Sequence, residues 1–593
     1  MEAPRSLRVE RTAASAPAHS REVTSPAEHD EPSKLKGSRG SGSKLNQATK
    51  AFRNLNPFKR QNTADRWFNP EEATAQKRAW AKQFSEGEKV LGWPSQFFEN
   101  FIIVGVPPHT EVKSALGEPD LVHRAKSGEI RSVAVTAEAA KEREHRGAPR
   151  GQPLAPQVLF AYPPGKPVTP DAAAFCFPHG VQPALLERTP SLSALNELVC
   201  SQAHTASDAA SFIFTMKVAD DLPLYGVCCY MDELVARPPS VLRAPGDAAP
   251  ELPQFLVSAP RCYCLLTHYP FFPLHMKVLH LLRSQSMRPA AGPAAAGSGA
   301  SALEVVQAYL ALRVPAPGEA LEFVPDDGLQ PVHFLRPKAA SAGARRAFAH
   351  RAAIAAAEAE AAAGLRPWAV AALARALSLD NIVTLLTCAL LERQVVVFCP
   401  NIGVLSTVVL ALVPMLQPFA WQSLLLPVLP TQERLLEILE APVPFILGVQ
   451  YKTAEVAARC GGLTRVNVYK DRITLAKPGG LPALPHAASL AAALAPVHRD
   501  LAALGRERHR PLYNVSAEQA ALADTFLQVV QEHNSRLCAD LHLHTITDVQ
   551  TSERVSLLLK DSFVESFPQR ERPFMKQFVE TQIFSVFVDS VIK

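Results

Sequence analysis

The sequence has little of what most enzyme chemistry requires. Its 593 residues contain no Cys-x-x-Cys pair, no Gly-x-Ser-x-Gly elbow and no complete phosphate-binding loop. The closest approach to a phosphate loop, GSRGSGSK at 37–44, ends in the wrong order and has neither a strand before it nor a helix after it. Net charge is only +5, small for this length, and nothing in the global balance points to nucleic acid. The opening segment has no apolar core and carries Glu2 and Glu10, so no secretory signal is expected. Ten cysteines are scattered without metal-ligand spacing, several inside apolar runs, which implies a reducing, cytoplasmic compartment. Cys262 and Cys264 share one face of a strand, closer in sequence than zinc ligands normally stand, and His268 and the His542-Leu543-His544 pair lack companions. No metal, cofactor or catalytic residue is read from these patterns. Asp220-Asp221 reads as the polar tip of a hairpin, since adjacent carboxylates on a turn point to solvent and do not converge on a substrate.

A second absence organises the chain. No charged side chain occurs between Gln394 and Gln432. The apolar part of this run is long enough to span a bilayer, for which about 20 residues suffice. Its interior pattern argues for a soluble lobe instead. Val395, Val396, Val397 and Phe398 are β-branched or aromatic, Pro400-Asn401 supplies a turn, and Pro414 and Pro418 break the far end. Ile382, Leu385, Leu386, Ala389 and Leu390 recur at helical spacing just upstream. Strands are expected at 395–399, 423–427 and 445–449. A helix is expected over 402–416, with another opening at an N-cap Thr431. Apolar strands alternating with helices describe a mainly parallel sheet covered on both faces.

The remaining chain divides around this lobe. Residues 1–68 read as a disordered tail in which 34–60, opening on Lys34 and closing on Arg60, hold eight basic residues and no acid, with Phe52 and Phe58 interleaved. Such a segment suits an anionic membrane surface. Trp80 and Phe84 mark a helix over 69–91. Strands are expected from FIIVGV and LFAYPP, with an irregular loop over 112–151 between them. Further strands follow at 211–215 and 224–230, and a strand running into a helix over 261–283. A flexible link at 287–300, a helix at 301–312 and two short strands lead to an alanine-rich stretch, 339–364, expected as an insertion with too little apolar bulk for a core. One strand is expected over 464–475, a proline and alanine linker over 477–505, and helices over 517–538, 554–567 and 572–592.

Several blocks resemble one family. Ala389-Leu390-Leu391-Glu392-Arg393 before a β-branched strand, then Pro418-Phe419, Trp421-Gln422, Pro427-Val428-Leu429-Pro430 and Glu440-Ala441-Pro442-Val443-Pro444-Phe445 are similar to the central block of DENN-domain proteins. FIIVGV, LFAYPP and FCFPHGV resemble the upstream module, and Arg572 to Phe587 the downstream one. The resemblance implies a longin-like lobe at 96–190, completed by 208–286 of a central module spanning 208–455. It further implies linker and inserts at 287–370, an α/β lobe at 371–475 and a helical downstream module at 506–593. It implies guanine nucleotide exchange on a Rab-type small GTPase held between two lobes, in the cytoplasm and peripherally on membranes, with no bond-making catalysis and no nucleic acid. Tyr225, Tyr269, Arg393, Asn401 and Gln422, beside the motif strands, are the expected contacts. Asn467 and Tyr469 stand where the family pattern leads one to expect acids, so a DENN-like scaffold without exchange activity is the alternative. An α/β enzyme would need convergent titratable groups, which the sequence does not display.

Overall fold

Alternation between two buried faces builds the first lobe. β1 (Asn100–Gly105), β2 (Gln157–Tyr162), β3 (Ala184–Glu187), β4 (Ser211–Met216), β5 (Leu224–Leu234) and β6 (Phe255–Thr267) form an antiparallel sheet in the order β2-β1-β6-β5-β4, with β3 also paired to β6. Phe101, Ile103, Ile213, Tyr225 and Val227 point into one core, and Ile102, Val104, Phe212, Phe214 and Cys228 into the other. The helix α1 (Ala172–Cys176) covers the second face, where Phe175 meets Phe214, and α2 (Phe272–Ser286) covers the first, where Phe272 meets Tyr225 edge to face. The computed structural model describes residues 94–108, 153–187, 211–216, 223–235, 255–286, 301–325, 330–337, 349–477, 479–504, 512–548 and 555–591, all within the unit Thr63–Lys593. The basic segment, the 69–91 helix, the 112–151 loop, the Asp220-Asp221 turn and the 287–300 link lie outside them.

After α3 (Ala302–Ala311), opened by a capping box of Ser301 and Glu304, come the hairpin β7 (Ala320–Phe323) and β8 (Val332–Leu335) and the long α4 (Ala349–Ala376). The second lobe then runs α5 (Leu379–Leu390), β9 (Val395–Phe398), α6 (Ile402–Met415), β10 (Leu424–Leu426), α7 (Glu433–Leu436), β11 (Phe445–Val449), α8 (Ala454–Arg459), β12 (Thr464–Asn467) and β13 (Arg472–Thr474). Its sheet order is β10-β11-β9-β12-β13, parallel until β12 pairs antiparallel with β13. Close approach fixes one glycine: a Cβ on Gly448 would stand 2.0 Å from the Pro427 carbonyl oxygen, so the motif strand after Phe445 admits no side chain there. The uncharged run is thus a strand, a helix and a second strand, each packed within protein, and no single helix among the described residues is long and apolar enough to cross a membrane.

The downstream part contributes α9 (Ala487–Leu504), α10 (Ala517–Arg536), the hairpin β14 (Thr545–Asp548) and β15 (Val555–Leu558), α11 (Lys560–Glu565), α12 (Arg572–Phe578) and α13 (Gln582–Val591). Phe574, Phe578 and Phe584 are fully buried, and Phe419 of the central block meets the rings of Phe578 and Phe587 edge to face.

Six expectations need correction. Over 349–364 the alanine-rich stretch is no coreless insertion: it belongs to α4, which buries Ala357, Ala361 and Ala362 and packs on α6 and α10. Small side chains there let helix backbones approach closely, which offsets their lack of bulk. The supposed linker holds α9, anchored through buried Leu490, Leu494 and Leu501. The strand expected over 464–475 is a hairpin, because Asp471 takes φ 43° and the Asn467 Oδ1 accepts the Lys470 amide at 2.9 Å, closing a turn. The 572–592 helix breaks at Thr581, whose hydroxyl accepts the amide of Phe584, and 555–558 pairs as a strand where helix was expected. Gln432 and not Thr431 is the N-cap of α7, since the Thr431 hydroxyl is donated elsewhere.

Candidate functional site at the junction of two lobes

The two sheets share one buried cluster. Phe175, Phe212 and Phe214 of the first lobe and Val396, Phe398, Leu436 and Phe445 of the second belong to it. Polar groups fix the register of the junction. The Thr215 hydroxyl donates to the Leu425 carbonyl at 2.8 Å, and the Ile213 amide to the Ser406 hydroxyl at 3.4 Å. At another part of the seam the amide and hydroxyl of Thr431 both donate to the Pro178 carbonyl, at 2.9 and 2.8 Å, and Arg434 pairs with Asp171. The rings of His179 and Tyr451 stand 4.8 Å apart beside them, and burial pushes the His179 imidazole down to about 4, so it is neutral at ordinary pH. Hydrogen bonds over this sequence separation cost loop-closure entropy, so the seam needs the apolar cluster beneath it to hold.

The five expected contact residues do not converge. Tyr225 is buried against Phe272, and burial first, then Glu358 and Glu360, push its hydroxyl far above the usual phenol range. Tyr269 is buried, stacked on Phe271, with its hydroxyl donated to the Pro94 carbonyl at 2.6 Å. Asn401 caps α6 by accepting the Val404 amide at 3.1 Å. Gln422 is half-buried and donates within its own turn to the Ala420 carbonyl. Arg393 donates to the Gln577 side chain and to the Gly480 carbonyl, joining the central block to the downstream helices. Two are core, two are turn and cap groups, and one is a tie between segments. Sequence reasoning missed the seam residues Asp171, Thr431 and Arg434, because their pairing is set only by how the lobes pack.

Among the described residues no open cluster of titratable groups suits bond chemistry. Arg261, Glu233 and Tyr263 do converge, but inside the protein, where Arg261 is 2 % exposed and its guanidinium donates to the Glu233 carboxylate at 2.6 Å; the Tyr263 hydroxyl donates to the other carboxylate oxygen.

Comparison with known proteins fits this geometry. Models of three modules match in order: the uDENN domain at 156–231, the DENN (AEX-3) domain at 258–471 and the dDENN domain at 559–593, together more than half of the chain. Relatives include DENN domain-containing protein 2D of Homo sapiens, 24 % identical over 196 residues, which are 32 % of this chain and 34 % of that protein. The elicitor of plant defense protein 1 of Verticillium dahliae is 38 % identical over 120 residues, covering 20 % of this chain and 10 % of its own length. DENN domain-containing protein C297.05 of Schizosaccharomyces pombe is 43 % identical over 74 residues, 12 % of this chain and 7 % of that protein. With three modules in family order, carried by an antiparallel sheet, a mainly parallel sheet and a downstream helical part, the chain belongs to the DENN-domain family.

Proposed function

We propose that this chain speeds release of GDP from a Rab-type small GTPase. The observation that carries the reading is the succession of upstream, central and downstream DENN modules in one chain, since exchange on such GTPases is what family membership implies. No nucleophile, base or metal is required. An exchange factor binds the nucleotide-free switch conformation more tightly than the loaded one, and linkage then weakens nucleotide binding by the same factor. A thousandfold effect needs about 4 kcal/mol of differential affinity, within reach of one interface.

The GTPase docks over the lobe junction in this reading. Exposed Gln432, Glu433 and Arg434 on α7 and half-buried Gln422 beside β10 are the candidate contacts there. The chain works in the cytoplasm, and its basic residues 34–60 draw it peripherally onto anionic membrane. Release of labelled GDP from a panel of Rab proteins tests the activity. At least one Rab should lose nucleotide many times faster with the full chain present, and uniform indifference across the panel would sink the proposal.

A scaffold is the second reading, favoured by the β12–β13 turn. Asn467 there is spent on the Lys470 amide and Tyr469 is 53 % exposed, so no carboxylate from these two positions faces a partner. Stable capture of a Rab without faster release would select the scaffold.

A further inference from the structure

Four thiols meet on the α1 face of the first sheet. Cys228 on β5 stands directly opposite Cys264 on β6, and Cys262, two residues earlier, shares its face. Cys176 closes α1 above them. The sulfurs of Cys176, Cys228 and Cys264 all lie within 4.8 Å of one another, and Cys262 sits beside them on the same buried face. All four residues are 0 % exposed. Three separate elements supply them, so the convergence is a product of packing that sequence spacing conceals.

We propose that Cys176, Cys228, Cys262 and Cys264 bind one zinc ion as a closed structural site. Zinc held by four thiolates at about 2.3 Å in a tetrahedron sets its sulfurs about 3.8 Å apart, a contraction of roughly an ångström at most from the spacing of the three closest thiols. Two ligands from neighbouring strands, one from two residues along and one from the covering helix approach from different directions, as a tetrahedron requires. The surroundings are built to hold them. The Tyr230 hydroxyl, on the same face, donates to the Cys176 carbonyl at 2.6 Å and its ring stacks on Phe177, pinning the end of α1. Ile102, Val104, Phe175 and Phe214 exclude water. Four protein ligands leave no open position, so the ion supplies cohesion and no Lewis-acid chemistry. Each thiol gives up one proton on binding.

The site would brace the part of the junction that the first lobe contributes. Pro178 and His179 follow Cys176 after Phe177, and they are the residues that receive Thr431 and face Tyr451. Holding Cys176 therefore holds the seam between the sheets.

Native mass spectrometry and elemental analysis of the full chain, purified under reducing conditions from zinc-replete cells, read the stoichiometry. About one zinc per chain should survive exhaustive dialysis, as closed four-ligand sites do. Cys176→Ser and Cys228→Ser should bring zinc to background. Cys229→Ser, whose thiol lies on the opposite face of the sheet, should keep it in full. Because the first two variants can fail to fold, the wild-type chain grown in cobalt supplies a second readout: an intense thiolate-to-cobalt charge-transfer band with the tetrahedral visible spectrum. The proposal is overturned by a wild-type chain without zinc whose four cysteines are free thiols, by a Cys228–Cys264 disulfide in their place, or by zinc that survives both substitutions.

Discussion

The Glu392 carboxylate caps the last helix of the chain, accepting the backbone amide of Ile583 at 3.0 Å through one oxygen and that of Gln582 at 2.9 Å through the other. Glu392, the acid of the Ala-Leu-Leu-Glu-Arg block, takes φ 47°, a left-handed turn that aims it away from its own helix. Burial raises its carboxyl and the two amides pull it down, leaving it above the ordinary value. An acid at a helix start satisfies orphan donors and meets the positive end of the dipole.

Glu392→Ala should therefore cost about 1–2 kcal/mol, the range for losing a helix cap. Glu392→Gln keeps one acceptor oxygen and removes a partly buried charge, so its loss should be smaller. Urea midpoints of the three chains rank them. Equal stability of wild type and the alanine variant would show that α13 holds by its phenylalanines alone.

That relationship also marks where sequence reading stops. Val395 to Phe398, the proline turns and the helical spacing of 382–390 were legible, because buried parallel strands and amphipathic helices write their periods into the residues. Glu392 was visible as part of the central block, but not as a cap, since its partners lie in the downstream module. Alanine on α4 misled for a related reason: sequence weighs side-chain area, whereas the fold uses small size for close approach. Tyr225 and Tyr269, expected as contacts for their polar tips beside motif strands, bury their rings, and the Tyr269 hydroxyl is donated to the distant Pro94 carbonyl. Neither periodicity nor spacing carries the angle at which two lobes meet, and that angle is what assembles the Thr431 and Arg434 contacts.

Arg261 and Glu233 supply a second prediction. Arg261→Met leaves the Glu233 carboxylate buried, keeping the Tyr263 hydroxyl but losing the Arg261 guanidinium. The expected loss is about 3–5 kcal/mol, because breaking one side of a buried pair strands the other charge. Arg261→Met combined with Glu233→Leu removes both charges and should recover most of it. Thermal unfolding of the single and double variants gives the coupling; a double variant no more stable than the single one would contradict the stranded-charge account.

The buried histidines set a direction for pH. His275 lies among Phe97, Phe271 and Tyr309, with the Tyr309 hydroxyl 2.8 Å from its Nδ1 and the Tyr269 carbonyl 3.2 Å from its Nε2. The carbonyl can only accept, which assigns the proton to Nε2 and leaves Nδ1 to accept from Tyr309. A second proton on Nδ1 would turn that acceptor into a donor inside an apolar cage. Burial accordingly pushes His275 down to about 3, despite the carbonyl that favours the charged form, from an ordinary value of 6.5. Burial likewise lowers His179, His280 and His533 to about 4. Between these values and 6.5 the unfolded chain binds more protons than the folded one, so stability is fully present above pH 6.5 and is lost as pH falls below it. Each such group contributes a slope of up to about 1.4 kcal/mol per pH unit. His275→Gln offers Tyr269 an amide donor and Tyr309 an acceptor without a titrating group. Urea unfolding of the two chains between pH 7.5 and 5 should give the variant the shallower fall, by up to one histidine's slope; parallel curves would mean that His275 takes up its proton without loss of the Tyr309 contact.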